Sequence, residues 1–257
     1  MAYRFRFSRV AAIDSIHLIG SLRWRMPAPV AGLRDKDRVV EKMTGKRTTV
    51  RRFPELGSYD VERIYAILDE ALVCHVGFTD DAGETVVIPS IHARSGASLY
   101  LHGAPGSRMM KTLSTGASVC VTATLLDGIM LARTPTHSSY QYRSVVLFGR
   151  PTRVRDAKEK LEALRLITEH VTPGRWDDCR RPSKTEIDKT AVVRIRIEEA
   201  SAKISTGQPE DDPDDHDLDI WAGVIPLSLV AGSPIPNPEL PPGTEAPPYL
   251  TVSRHKS

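Results

Sequence analysis

The chain has 257 residues, of which 40% are hydrophobic and 26% charged, with a formal net charge of +3. This composition excludes a wholly disordered or fibrous chain, and the length suits one core with appendages or two modest cores. No stretch approaches the ~18–20 continuous apolar residues that span a bilayer, so no membrane partner is expected. Cys74, Cys120 and Cys179 are odd in number, far apart and without a CxxC pair, which argues against a disulfide scaffold or zinc knuckle and for a reducing compartment.

The charge is uneven along the chain. Residues 1–58 carry thirteen Lys/Arg against five Asp/Glu, and residues 208–257 carry two against nine. No RNP, zinc-finger or helix-turn-helix pattern accompanies the basic end, so no nucleic-acid partner is expected either. Residues 1–46 form a basic extension containing Arg4, Arg6, Arg9, Arg23 and Arg25. It reads as a disordered arm on a cytoplasmic protein, or alternatively as a mitochondrial targeting segment.

The folded part is expected to open near Ser58, which can cap a helix carrying Val61, Ile64, Tyr65, Leu68, Ala71 and Leu72 on one face. The period then changes to two. Strands are expected over 73–79, 85–92, 98–102, 118–124, 128–133 and 144–154, with turns at 80–83 and 94–96 and a short helix over 107–114. Asp156 and Glu159 spell a capping box for a helix that turns Leu161, Leu164, Ile167 and Val171 inward, and a weaker box runs from Ser183 to Glu186. Residues 190–199 alternate as a further strand. Short antiparallel strands with helices inserted at two places predict a mainly β fold, a six-stranded, Greek-key-like split barrel over residues 47–207. Residues 208–257 follow as an acidic loop and then a proline-rich, extended tail.

The segment Leu99–Lys111 carries the clearest chemistry. A strand runs into a Gly/Pro turn, and a helix opens at Ser107 with Arg108 and Lys111 on one face. Free amides at a helix start and two cations within one turn suit a phosphate, and two surface charges after a capped turn are the plainer alternative. The chain has no HExxH or Cys–His spacing, and the acidic run 210–219 lacks the glycine and spaced ligands of a calcium loop, so no metal site is expected.

The segments 87–94 (VIPSIHAR), 99–108 and 137–149 (HSSYQYRSVVLFG), with 201–203 (SAK) and 221–227 (WAGVIPL), occur in order. They resemble the pyridoxamine 5′-phosphate oxidase-like FMN-binding split barrels, and most closely the nitroimidazole-resistance-type, flavin-nucleotide-binding branch. The resemblance spans about residues 47–248. It implies a homodimer with FMN at the subunit interface and a small-molecule substrate. By the same resemblance, the strand containing Pro89, Ser90 and His92 would line the flavin ring, and Tyr100 and His102 would pass beside the ribityl chain. Ser107, Arg108 and Lys111 would hold the phosphate. Tyr142, Arg143 and Ser144 would add contacts, partly from the partner, and Trp221 would either cover the ring or anchor the C-terminal segment.

Two places depart from the branch pattern, the block His137–Tyr142 and Ser205 in place of an arginine, and both bear on the substrate side. The expected activity is an FMN-dependent oxidoreductase in which the cofactor carries the redox chemistry. Arg143 is the candidate to stabilise the reduced ring. NAD(P)H is a further expected cofactor, as electron donor, without a GxGxxG fingerprint. A non-catalytic flavin- or haem-binding protein on the same barrel is the alternative.

Overall fold

Runs of β-branched and apolar residues at period two dominate the middle of the chain, and they form eleven strands in a computed structural model that describes residue 43 and residues 45–251. The targeting and disorder readings of the N-terminal arm fall on residues outside those described. The strands are β1 (Gly57–Ser58), β2 (Cys74–Thr79), β3 (Thr85–Ser90), β4 (Ala93–Ser95), β5 (Ser98–Gly103) and β6 (Val119–Leu131). They continue with β7 (Ser139–Gly149), β8 (Thr152–Arg153), β9 (Ala191–Arg196), β10 (Glu199–Ser205) and β11 (Gly223–Pro226). The helices are α1 (Val61–Glu70), α2 (Arg108–Ser114), α3 (Ala157–Val171) and α4 (Lys184–Asp188). None of them is long and apolar enough to cross a membrane.

The fold is mainly β and antiparallel, a split barrel, but its sheets are larger than the six strands expected. A seven-stranded sheet has the order β1-β10-β7-β6-β2-β3 with β11 on β6, and a four-stranded sheet has the order β4-β5-β9-β8. Val76, Val121, Val145 and Leu147 of the first sheet face Leu99, Leu101, Val193 and Ile195 of the second, all fully buried. Ile64 and Leu68 of α1 and Met110 and Leu113 of α2 close the ends of this core. The other face of the small sheet holds Tyr100 and Val192 against Ala163 and Ile167 of α3.

Several local expectations shift for physical reasons. The two strands expected over 118–133 are one strand, β6, which slips its register against β7 between Leu126 and Gly128. The Asp127–Gly128 pair is a bulge, and it bends the strand without ending it. The near half of β6 pairs with β2, and the far half pairs with β11. β7 starts at Ser139, earlier than its apolar run suggests, and residues 190–205 make two strands where one was expected. Asp60, rather than Ser58, caps α1, accepting from the Arg63 amide at 2.9 Å.

The two capping boxes exchange roles. Asp156 caps α3 through the Glu159 amide at 2.8 Å, while the Glu159 carboxylate turns to Tyr100 and Arg194. The weaker box at Ser183 is the one formed in both directions. Val171 is 38% exposed instead of inward. Met43 and Thr48 are buried, so the packed body begins upstream of Ser58. The acidic run is not wholly solvated: the Asp211 carboxylate is 3% exposed and takes both the Arg133 amide (2.6 Å) and its guanidinium (2.7 Å).

The two sheets approach closely at the end of β7. A Cβ on Gly149 would stand 2.5 Å from Ile195 Cγ2 and 3.3 Å from the Arg196 carbonyl. Gly149→Ala is expected to cost about 1–3 kcal/mol through overpacking, seen as a lower urea midpoint at unchanged m-value.

Candidate functional site

β5 delivers the chain to a turn that opens α2. Gly103 lets β5 pass close to α2, since a Cβ there would meet Met110 Cγ at 3.0 Å. The Ser107 amide donates to the Ala104 carbonyl at 3.0 Å, and the Ser107 hydroxyl accepts from the Met110 amide at 3.2 Å. The first amides of α2 are thereby left to face outward, as at any helix start. A Cβ on Gly106 would meet nothing within 4 Å, so the backbone of the turn is open to an approaching group. Arg108 is 58% exposed and reaches Asp80 Oδ2 at 3.5 Å. Asp80 is held by its own turn, accepting from the Ala82 and Glu84 amides at 3.0 and 2.9 Å. Lys111 lies exposed one turn along from Ser107. Two cations and the outward amides thus lie together at this turn, with the Asp80 carboxylate beside Arg108.

The register of the large sheet sorts the other expected contacts by face. Val145, Ala123, Cys74 and Ser90 form one row, and the first three are fully buried, so Ser90 belongs to the core side. Val146, Thr122, His75 and Pro89 form the next row, on the outer side. Tyr142 and Ser144 alternate with Arg143 and share that outer face. Ser144 lines a polar cleft of about 230 Å³ with Arg47, Thr48 and Lys203. β7 lies three strands from β3, or ~14 Å at the usual strand spacing, so one chain does not bring Ser144 to Pro89. Arg47 and Thr48 were not singled out by sequence reasoning, because they precede the periodic segments.

The remaining expected residues occupy structural places. His92 is fully buried; its Nε2–H donates to the Leu68 carbonyl at 2.9 Å, and its ring stands 5.0 Å from His170. His170 Nε2–H donates to the Ala71 carbonyl at 2.9 Å, so the pair pins the C-terminal end of α1. Arg143 is held by two carboxylates at 2.7–2.8 Å, Asp127 at the bulge and Glu70 at the end of α1, which together hold its guanidinium firmly protonated. Glu70 and Asp127 carried no sequence signal of this role beyond the Asp-Gly pair.

Tyr100 is 3% exposed beneath α3, with its hydroxyl 3.3 Å from Glu159, and burial raises its pKa. Trp221 is 65% exposed, its ring edge above Gly223, so it does not anchor in the core. His102, on the same face of β5 as Tyr100, lines a cleft of about 280 Å³ with Ile91, Leu164, Ile167, Val171 and Arg175. Arg175 too went unremarked in the sequence. Burial lowers the His102 pKa and keeps the ring neutral, and its Nδ1 is buried without a partner.

Residues 60–204 match the family described as pyridoxamine 5′-phosphate oxidase. The chain belongs to that family. Among curated proteins none matches it. Of solved structures, the flavocytochrome Anf3 from Azotobacter vinelandii is similar at 36% identity and a TM-score of 0.76, covering 81% of this chain and 97% of its own. The FAD and heme binding protein from Mycobacterium smegmatis is similar at 33% identity and a TM-score of 0.72, covering 76% and 95%. A protein titled as a 5-nitroimidazole antibiotic resistance protein, from Bacteroides thetaiotaomicron, shares 27% identity at a TM-score of 0.50, covering 58% and 86%.

His92 gives the fold a pH dependence. Burial, helped by the neighbouring His170, lowers its pKa from 6.5 to about 4 against the opposing bond to Leu68. The unfolded chain therefore binds the proton first. Stability is full above the unfolded pKa and falls as pH drops through the window from 6.5 to about 4, by at most about 3 kcal/mol. Urea unfolding across that window should show the loss, and His92→Asn should flatten it.

Proposed function

We propose that this chain is a flavin-dependent oxidoreductase acting on a small organic substrate, in a homodimer with its flavin sites between subunits. The observation that carries this reading is the anion turn Ser107–Lys111 within the family match. Its residues fit a flavin nucleotide: two cations on one helix face, outward amides, and an open backbone at Gly106. The phosphate beside the ribityl chain is common to FMN and FAD, so the fit holds for both. When bound, the flavin supplies two-electron chemistry by accepting or giving a hydride.

The chain's own residues bind and orient. Ser107, Arg108 and Lys111 hold the phosphate, and the β3 backbone around Pro89 lines the ring. Arg143, committed to Glu70 and Asp127, ties β6 to α1 and is not the donor to the ring. Tyr142 and Ser144 on β7, with Thr48 and Lys203 beside them, complete the site from a second copy of the chain.

A second reading is favoured by the relatives at 36% and 33% identity, titled a flavocytochrome and a FAD and heme binding protein: this chain carries haem beside the flavin. The donor set allows it, since His102 offers a neutral, unpartnered imidazole in an apolar cleft.

The absorption spectrum of the purified protein separates these readings, by flavin maxima with or without a Soret band. Turnover with NADPH or dithionite and a nitroaromatic acceptor tests the enzyme. Arg108→Ala and Lys111→Ala should each weaken flavin binding roughly ten- to a hundred-fold, the effect of one charge-assisted contact, by fluorescence titration. Unchanged Kd in both would remove the phosphate from this turn. Light scattering should give a dimer, and a monomer with full flavin content would contradict the shared site.

A further inference from the structure

The cleft beside His102 is used by neither the anion turn nor the outer sheet face. Ile91, Leu164, Ile167 and Val171 give it apolar walls, His102 stands in it, and Arg175 lies at its rim. We propose that this cleft seats the haem, with His102 as its axial ligand and Arg175 as the partner of a propionate; the proposal rests on the haem reading above. A haem asks for largely apolar walls, here with Thr168 and Thr172 among them, one imidazole, and a cation for its carboxylates. All three meet here.

The imidazole is the discriminating element. The Nδ1 of His102 is buried without a hydrogen-bond partner among the described residues. A buried polar atom without a partner is costly unless a ligand or water meets it. His92 and His137 also have a buried Nδ1 without a partner, but His102 is the histidine that lines this cleft. His92 and His170 give Nε2–H to the Leu68 and Ala71 carbonyls. His137 lies 3.9 Å from Asp212, while His75 and His216 are exposed away from the cleft.

Arg175 is similarly suited. Its Nη1 alone bonds Asp178 and the Tyr249 hydroxyl, each at 3.2 Å, which leaves Nη2 and Nε for a carboxylate. Tyr249 in turn donates to Asp178 at 2.6 Å and rests its ring on Gly174, so the guanidinium is held at the rim. The cleft also borders the proposed flavin site in sequence. Ile91 follows Ser90 of β3, and His102 precedes Gly103 at the start of the anion turn. The ends of β3 and β5 thus serve both groups.

The test is hemin titration of the purified full-length chain, followed by its Soret band, with folding of each variant checked by circular dichroism. Wild type should show the band of histidine-ligated haem. His102→Gly should displace the band and weaken binding at least ten-fold, and added imidazole should restore the wild-type band, which a merely structural role would not permit. Arg175→Gln should weaken binding several-fold without moving the band. A wild-type band in His102→Gly, or loss of the band on His75→Gly instead, overturns the assignment while leaving the haem reading standing. A wild-type chain that takes up no hemin overturns both.

Discussion

Arg143 donates to Asp127 at the bulge of β6 and to Glu70 at the end of α1, joining the strand that bends to the helix that closes the core. Beyond the bulge, the edge of β6 that pairs with β2 passes to the C-terminal strand β11. A single 13-residue strand thus links the barrel body to the segment carrying Trp221. Four hydrogen bonds at 2.7–2.8 Å to two carboxylates make this a fixed joint, because a planar guanidinium meets carboxylates in a defined geometry. A second joint lies at the same end of α1, where His92 and His170 take the Leu68 and Ala71 carbonyls that the helix leaves free.

The fold class was legible in the sequence because period-two runs and Gly-containing turns are local signals. β2, β3 and β5 stand nearly where that pattern puts them. What was not legible depended on distant partners. β10 follows β9 after two residues, and only pairing with β7 on one side and β9 with β5 on the other assigns them to different sheets. Residues 125–127 were expected to separate two strands, and an Asp-Gly pair ends strands as readily as it bends them.

The candidate site divides along the same line. Ser107, Arg108 and Lys111 are neighbours in sequence and remain neighbours at the start of α2, so the turn proposed to hold the phosphate needed no distant partner to be noticed. His92 and Arg143 were singled out by residue type and position in a motif. Their roles are set by Leu68, Glu70 and Asp127, residues 16 to 73 positions away that no periodicity connects to them. A histidine that satisfies a helix end and one that faces a cleft look alike in sequence, and burial with partner atoms separates His92 from His102.

The row that holds Ser90 also holds Cys74, and its burial has a chemical consequence. Removal from water pushes the Cys74 thiol up to about 12. At neutral pH the sulfur therefore stays as the thiol, and the thiolate, the form that attacks peroxides and disulfides, is scarce. A barrel proposed to handle electrons therefore keeps this sulfur, one strand from the proposed flavin strand, as an insulated packing atom.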